Sequence, residues 1–422
     1  MTGDAVDRVL AGLPRLAGSL EELYQDLHQH PELSMQERRT AARAAGALGF
    51  AGWEVTEHIG GTGVVGVLRN GEGPTVMVRA DMDALPVREE TGLPYASATT
   101  GVDAGGDPVP VMHACGHDMH VTWLTGAATL MAQAREAWRG TVVTIFQPAE
   151  ETGEGARAMI DDGLFERVPR PDVVLGQHLI PAPAGELSWR PGITQAASDN
   201  LDVRLFGRGG HGSMPEASID PVLLAAAVVM RLQAVVAREV APSEVAVVTV
   251  GSIRAGSKHN VIPDEALLQL NVRSFDDRVR ARVLAAIERI VAAEAAASGA
   301  AREPVIESVE RFPLTVNDPA AATAAAGALR RRFGAARVHE LAAPIAASED
   351  FGRFGSAAGI PSVFWYVGGI DPDAYRAAVE AGRVAQEIPT NHSPRFAPVI
   401  HPTLETGVEA IVAAALAFLH RP

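Results

Sequence analysis

The chain has 422 residues, 47% of them hydrophobic and 21% charged, the balance of an ordinary globular protein and not of a disordered chain, which lacks the apolar surface to offset its ordering entropy. Thirty-six Lys and Arg against 51 Asp and Glu give a formal charge of −15, which speaks against nucleic acid as a partner. No apolar run approaches the roughly 20 residues that span a bilayer, the N-terminus is acidic where a signal peptide would be basic, and a single cysteine, Cys115, leaves no intrachain disulfide, so the expected setting is the cytoplasm with no membrane partner.

In chain order, GSLEELYQDLHQHPEL spaces Leu20, Leu23, Tyr24 and Leu27 as one helical face, with Pro31 as the stop. A second helix is expected over MQERRTAARAAGALGF. Strands follow at WEVTEHI, GVVGVLRN and TVMVRAD, with a turn at NGEGP, and further buried strands at TVVTIFQP and DVVLGQHL. The helix-like MHVTWLTGAATLMAQAREAW lies among them. From about Asn200 the texture changes to strand DNLDVRLFG, helix DPVLLAAAVVMRLQAVVA, strands EVAVVTVGSI and EALLQLNVRSF, and helix DRVRARVLAAIERIVAAEAAA. The α/β pattern returns with helix PAAATAAAGALRRRF, strand IPSVFWYVGG and a closing helix ETGVEAIVAAALAFL. The predicted fold is α/β: a catalytic domain with a mainly parallel sheet over 1–196 and 309–422, interrupted by an inserted α+β domain over 197–308.

The chemistry gathers in short motifs. VMHACGHDMH holds Cys115 and His117, whose thiolate and imidazole suit zinc and related divalent ions. In an extended segment the two point the same way, and the positive N-terminus of the following helix would help keep the thiol ionised. TIFQPAEETGEG ends a strand and delivers Glu150 and Glu151; one can ligate a metal while its neighbour works as general base on water. His178 in VVLGQHL and His392 in PTNHSPRF stand at a strand end and in a loop. Together Cys115, His117, Glu151, His178 and His392, with one carboxylate to spare, are the inventory for two adjacent divalent metals, of the zinc, manganese, cobalt or nickel kind. Asp81 and Asp83 of VRADMDALP are placed behind the ligands, orienting a histidine.

In the inserted segment, FGRGGHGSMPE presents His211, suited to stabilising an oxyanion. Asn260 and Arg273 suit a carbonyl or carboxylate. The G-x-G-x-x-G patterns at Gly61 and Gly207 lack the strand-before, helix-after context of a dinucleotide site.

Taken together, LHQHPELSMQE, RADMDALPV, HACGHDMH, QPAEETGEGA, GRGGHGSMP, HNVIPD, ASEDF and NHSP resemble the M20 metallopeptidase family nearly end to end, in its amidohydrolase branch of aminoacylase-, hippurate hydrolase- and auxin-conjugate hydrolase-like enzymes. The resemblance implies a di-metal catalytic domain with an inserted lid that often forms a dimer, Glu150 as catalytic acid/base, metal binding by the five donors above, and Asn260 and Arg273 on the substrate carboxylate. The implied reaction is hydrolysis of the amide bond of N-acyl amino acids. A dipeptidase or carboxypeptidase of the same family, or a metal-dependent binding protein without catalysis, are the alternatives.

Overall fold

The computed structural model describes residues 2–420. They form two compact units, the first of Met1–Thr194, Val316–Pro344 and Asp350–Pro422, the second of Gln195–Thr315 and Ile345–Glu349.

After a short first helix over Thr2–Leu10, the first unit continues with helix α1 (Leu13–Gln29), which buries Leu20, Tyr24 and Leu27 and ends before Pro31, and α2 (Arg38–Phe50). Strands β1 (Glu54–Ile59), β2 (Gly63–Asn70) and β3 (Thr75–Asp81) lead to helix α3 (His117–Gln133), then β4 (Gly140–Gln147), β5 (Val173–Pro183) and β6 (Leu187–Trp189). The second unit contributes β7 (Ala197–Phe206), α4 (Pro221–Glu239), β8 (Ala246–Ala255), β9 (Glu265–Ser274), α5 (Asp277–Ala297) and β10 (Val305–Phe312). The first unit resumes with α6 (Pro319–Phe333), β11 (Val338–Glu340), β12 (Ser362–Ile370) and α7 (Ile400–Phe418).

In the first unit, eight strands run in the order β1-β2-β4-β3-β5-β12-β6-β11. The central pairs β4/β3, β3/β5 and β5/β12 are parallel, while β1/β2, β2/β4 and β12/β6 are antiparallel. The fold class is therefore the expected α/β, with a mixed, mainly parallel sheet. β3 and β12 are buried along their whole length, as central parallel strands covered on both faces are. Helix α7 packs tightly on α3: Trp123 donates to the Thr403 carbonyl at 3.0 Å, and a Cβ on Gly407 would fall 2.1 Å from the Trp123 ring.

The second unit is a four-stranded sheet, β8-β9-β7-β10, antiparallel throughout. Its helices start where the sequence supplies an Asp cap: Asp220 accepts from Val222 N–H and Asp276 from Arg278 N–H. One expectation from sequence is corrected here. Helix α4 is long and apolar enough, by length and composition, to cross a membrane. A third of that stretch is buried, its inner face packing Leu224, Ala225, Val228, Leu232 and Val235 against the sheet. Val222, Leu223 and Met230 are exposed.

The buried face of α1 carries one charge. Both ring nitrogens of His28 face carboxylates, Asp118 at 2.6 Å and Glu89 at 3.1 Å. Burial disfavours the imidazolium, but hydrogen bonds to Asp118 and Glu89 outweigh it and raise the His28 pKa from 6.5 to about 9. A folded-state pKa raised in this way adds stability that is complete below pH 6.5 and fades as pH climbs through about 9. The expected loss is on the order of 3 kcal/mol. Urea unfolding of wild type and His28→Gln at pH 6 and pH 9.5 measures it: the gap between them should shrink at the higher pH. An unchanged gap would show that His28 is neutral in the fold.

Candidate metal centre

The ionisable residues singled out in the first unit meet at the carboxyl ends of its central strands, where α/β sheets place their sites. Cys115 precedes Gly116, which sits at φ +86 and opens α3, so His117 is the first residue of the helix. This differs from the extended segment expected from sequence. A Cβ at residue 116 would meet the Leu179 side chain at 2.5 Å, so only glycine turns the chain here. The thiol also behaves differently from expectation: burial, then Glu151, Glu150 and Asp81, push the Cys115 pKa well above the usual thiol range. A helix N-terminus does not overcome an acidic, desolvated pocket, whereas a divalent cation would.

Two of the histidines are oriented by the backbone through Nδ1. His117 Nδ1–H donates to the Asp83 carbonyl at 2.8 Å, and His178 Nδ1–H to the Leu179 carbonyl at 2.7 Å. Both Nε2 atoms are thereby left as donors for a metal. His178 Nε2 lies 3.5 Å from Cys115 Sγ. His117 Nε2 and Glu151 Oε1 are both buried without a hydrogen-bond partner and face each other at 3.9 Å. The other oxygen of Glu151 is 3.3 Å from His392 Nε2. His392 itself has φ +70 and is tied to the Ala114 carbonyl through its N–H at 2.8 Å. Cys115, Glu151 and His392 thus form one cluster of donor atoms, and His117, Glu150 and Glu151 another, with Glu151 common to both.

The electrostatics match. Burial lowers the pKa of His117, yet Asp81, Asp83 and Glu151 raise it to about 10, so the imidazole carries a proton that a cation would displace. Orphaned buried nitrogen and oxygen atoms, a suppressed thiolate and surplus carboxylate charge are what a soft-to-borderline divalent ion satisfies. The residues therefore fit a metal.

Glu150 and Glu151 ride on a turn that begins at Ala149, a non-glycine residue at φ +47, a conformation that costs of order 1–3 kcal/mol. The turn closes through Gly155, where a Cβ would come 1.6 Å from the Pro148 carbonyl oxygen. Asp83 holds the turn: its two oxygens accept the N–H groups of Glu150 and Glu151, each at 3.0 Å. Asp83 thus orients His117 through its carbonyl and the glutamates through its carboxylate. Asp81 does not touch a proposed ligand as closely; it accepts from His120 Nδ1–H at 2.5 Å and from Arg79 at 2.6 Å.

Several residues with a part here were not singled out from the sequence. His120, neutral because burial lowers its pKa to about 4, accepts the Leu179 N–H at 2.8 Å and so braces the strand beside His178. Arg79, fully buried, reaches Asp81, Gln147 and Asp350. A lone arginine inside the apolar run TVMVRAD is a signal that could have been read, because a buried guanidinium needs carboxylate partners. Asp118 is different, since its place beside His117 marks it from sequence as an alternative or supporting ligand; it serves His28 and Met119 N–H and joins none of the donor clusters among the described residues.

His211, Asn260 and Arg273 belong to the second unit. A short ribbon pairs His211 with Val261, and the Asn260 carbonyl accepts the Gly212 N–H at 2.9 Å. His211 Nδ1 accepts the Ser213 N–H at 3.1 Å, so the neutral ring carries its proton on Nε2 and presents a donor. Asn260 is exposed and lines a cleft of about 450 Å³ with Asp220, Lys258 and His259. Arg273, on β9, makes no ion pair among the described residues: Nε donates to Asn271, and Nη1 to the Ala346 carbonyl and Ser348.

Comparison with known proteins gives a consistent outcome. Residues 77–387 match the family described as peptidase family M20/M25/M40. The chain is 39% identical over 341 residues to a hippurate hydrolase of Campylobacter jejuni, across 80% of this chain and 85% of that one. It is 35% identical over 371 residues to thermostable carboxypeptidase 1 of Saccharolobus solfataricus, across 86% and 89%. The solved structure of the Bacillus subtilis YxeP protein, a dinuclear metal-binding peptidase, superposes with a TM-score of 0.74 at 28% identity over 96% of this chain and 98% of that one.

Proposed function

Because the chain belongs to the M20/M25/M40 peptidase family and is a hydrolase of that family, we propose that it is a two-metal amidohydrolase that splits N-acyl amino acids into a carboxylic acid and an amino acid. The observation that carries this reading is the pair of orphaned buried atoms, His117 Nε2 and Glu151 Oε1, facing each other beside the spare carboxylate of Glu150. Cys115, His117, Glu151, His178 and His392 would hold the ions. Bound there, divalent ions polarise a carbonyl and lower the pKa of water from 15.7 towards about 7.

The chain's own groups do the rest. Glu150 takes a proton from the attacking water and returns it to the nitrogen of the breaking C–N bond. Asp83 keeps Glu150 and His117 in register through its contacts to both. His211 Nε2–H donates to the developing oxyanion, and Asn260 and Arg273 take the substrate carboxylate. Peptide cleavage is the second reading, supported by the likeness to a carboxypeptidase. Turnover of acetyl-, benzoyl- and indoleacetyl-amino acids beside a set of dipeptides, with Zn²⁺, Mn²⁺, Co²⁺ or Ni²⁺ added, separates the two. Preference for dipeptides would replace the first reading by the second, and no turnover of either would defeat both.

The same reading has the chain pair with a second copy. Strand β8 is the edge of its sheet and exposes Val247 and Ile253, and α4 exposes Leu223 and Met230. An unpaired apolar edge invites a partner. Sedimentation should give twice the 44.3 kDa chain mass, and Ile253→Lys with Met230→Lys should halve it; a wild-type monomer would refute the pairing.

A further inference from the structure

The turn that presents Glu150 and Glu151 is held by more than Asp83. Three successive amides donate to two buried carboxylates: Ala149 N–H to Glu37 Oε1 at 2.9 Å, then Glu150 and Glu151 to Asp83. Glu37 immediately precedes α2, 112 residues away along the chain from Ala149, and is fully buried. Its partners are backbone and hydroxyl groups, not cations: Oε1 also accepts the Met35 N–H at 2.9 Å, and Oε2 accepts the Thr62 hydroxyl at 2.5 Å. Both amides on Oε1 belong to residues with positive φ, Met35 at +62 and Ala149 at +47. An L-residue holds that conformation only where its surroundings over-determine it. A carboxylate is an acceptor only, and here one oxygen locks two strained peptide units at once.

We propose that Glu37 is a positioning residue of the hydrolytic reaction: it pins Ala149 in the left-handed conformation that aims the carboxylates of Glu150 and Glu151. The inference rests on the reading of Glu150 as the general base and Glu151 as a metal donor. Glu37 acts through the turn alone, so what matters is the reach of its oxygen and not its charge.

Reach and charge separate in two conservative variants. Glu37→Gln keeps an oxygen within reach of both amides, and its N–H can donate to Thr62. Glu37→Asp keeps the charge but withdraws it by one methylene. Glu37→Asp should lower kcat by about 10- to 100-fold with little change in KM, the scale of an ångström-sized misplacement, while Glu37→Gln stays within about threefold of wild type. Adding Ala149→Gly to Glu37→Asp should recover several-fold of the lost kcat, since glycine occupies positive φ without the clamp. Hydrogen exchange over the peptide containing residues 149–151 supplies a readout that needs no turnover: exchange should quicken in Glu37→Asp and not in Glu37→Gln. Zn²⁺ affinity by chelator competition should weaken in Glu37→Asp for the same reason.

The opposite order, with Gln impaired and Asp active, would make the charge the operative property and overturn the proposal. So would equal losses in both variants, or a glycine at 149 that recovers nothing. If wild type turns over none of the substrates, the general-base reading falls, while the exchange comparison still decides whether Glu37 clamps the turn.

Discussion

Glu150→Gln is expected to lower kcat by roughly 10²–10⁴ while leaving bound metal and fold in place. The loss corresponds to about 2.7–5.4 kcal/mol of transition-state stabilisation. The substitution is close to isosteric, and the backbone N–H of residue 150, held by Asp83, is unchanged by it, so the turn keeps that anchor. Nor does metal retention: Cys115, His117, Glu151, His178 and His392 are untouched, and removing one of several crowded carboxylates eases repulsion among the rest. Steady-state kinetics on the best acylated substrate, paired with elemental analysis of the same preparation, tests both halves. Turnover within a few-fold of wild type would remove Glu150 from the chemistry, and parallel loss of metal would recast it as a ligand.

Stripping the metal with a chelator should lower the melting temperature of the first unit by on the order of 10 °C. An ion present at 1,000 times its Kd contributes about 4 kcal/mol by mass action, and a unit of this size shifts by about 2 °C per kcal/mol. The second unit has its own core of Leu224, Val228, Leu268, Val283 and Ile287, so its transition should remain where it was. Scanning calorimetry with and without EDTA reads the two separately. Cys115→Ser should reproduce much of the drop with metal present. The pH dependence has a fixed sign: ions must displace a proton from the raised Cys115 thiol and from His117, whose pKa is about 10, so binding releases protons and affinity rises with pH. Affinity flat between pH 6 and 9 would mean that neither group is a ligand.

The parts of this molecule legible in its sequence are those written in local patterns. Alternating or continuous apolar runs mark β3, β4, β5 and β12, Asp caps mark α4 and α5, and the donors stand out as ionisable groups interrupting apolar or glycine- and proline-rich stretches, as His178 does in VVLGQHL. What escapes is non-local. His28 and Glu37 look like solvent-facing charges of amphipathic helices, and only the fold reveals that their partners come from Asp118 and Ala149. Two of the partners of Arg79, Gln147 and Asp350, lie 68 and 271 residues further on, separations that leave no periodicity. Backbone strain has no letter of its own either: Ala149 and His392 adopt positive φ where a reader would look for glycine. Strand β10 shows a weak pattern, mostly exposed or half-buried, and takes its identity from pairing with β7.

The spread of the donors along the chain has a consequence for how the protein comes into being. Cys115, His117, Glu151 and His178 all precede the second unit, whereas His392 follows it. During synthesis on a ribosome, the earlier donors emerge first and must wait while the whole of the second unit and most of the returning segment are translated. On the proposed assignment of ligands, a nascent polypeptide halted before residue 392 would offer four of the five groups and no more, and capture of the full complement of ions would belong among the last events of maturation.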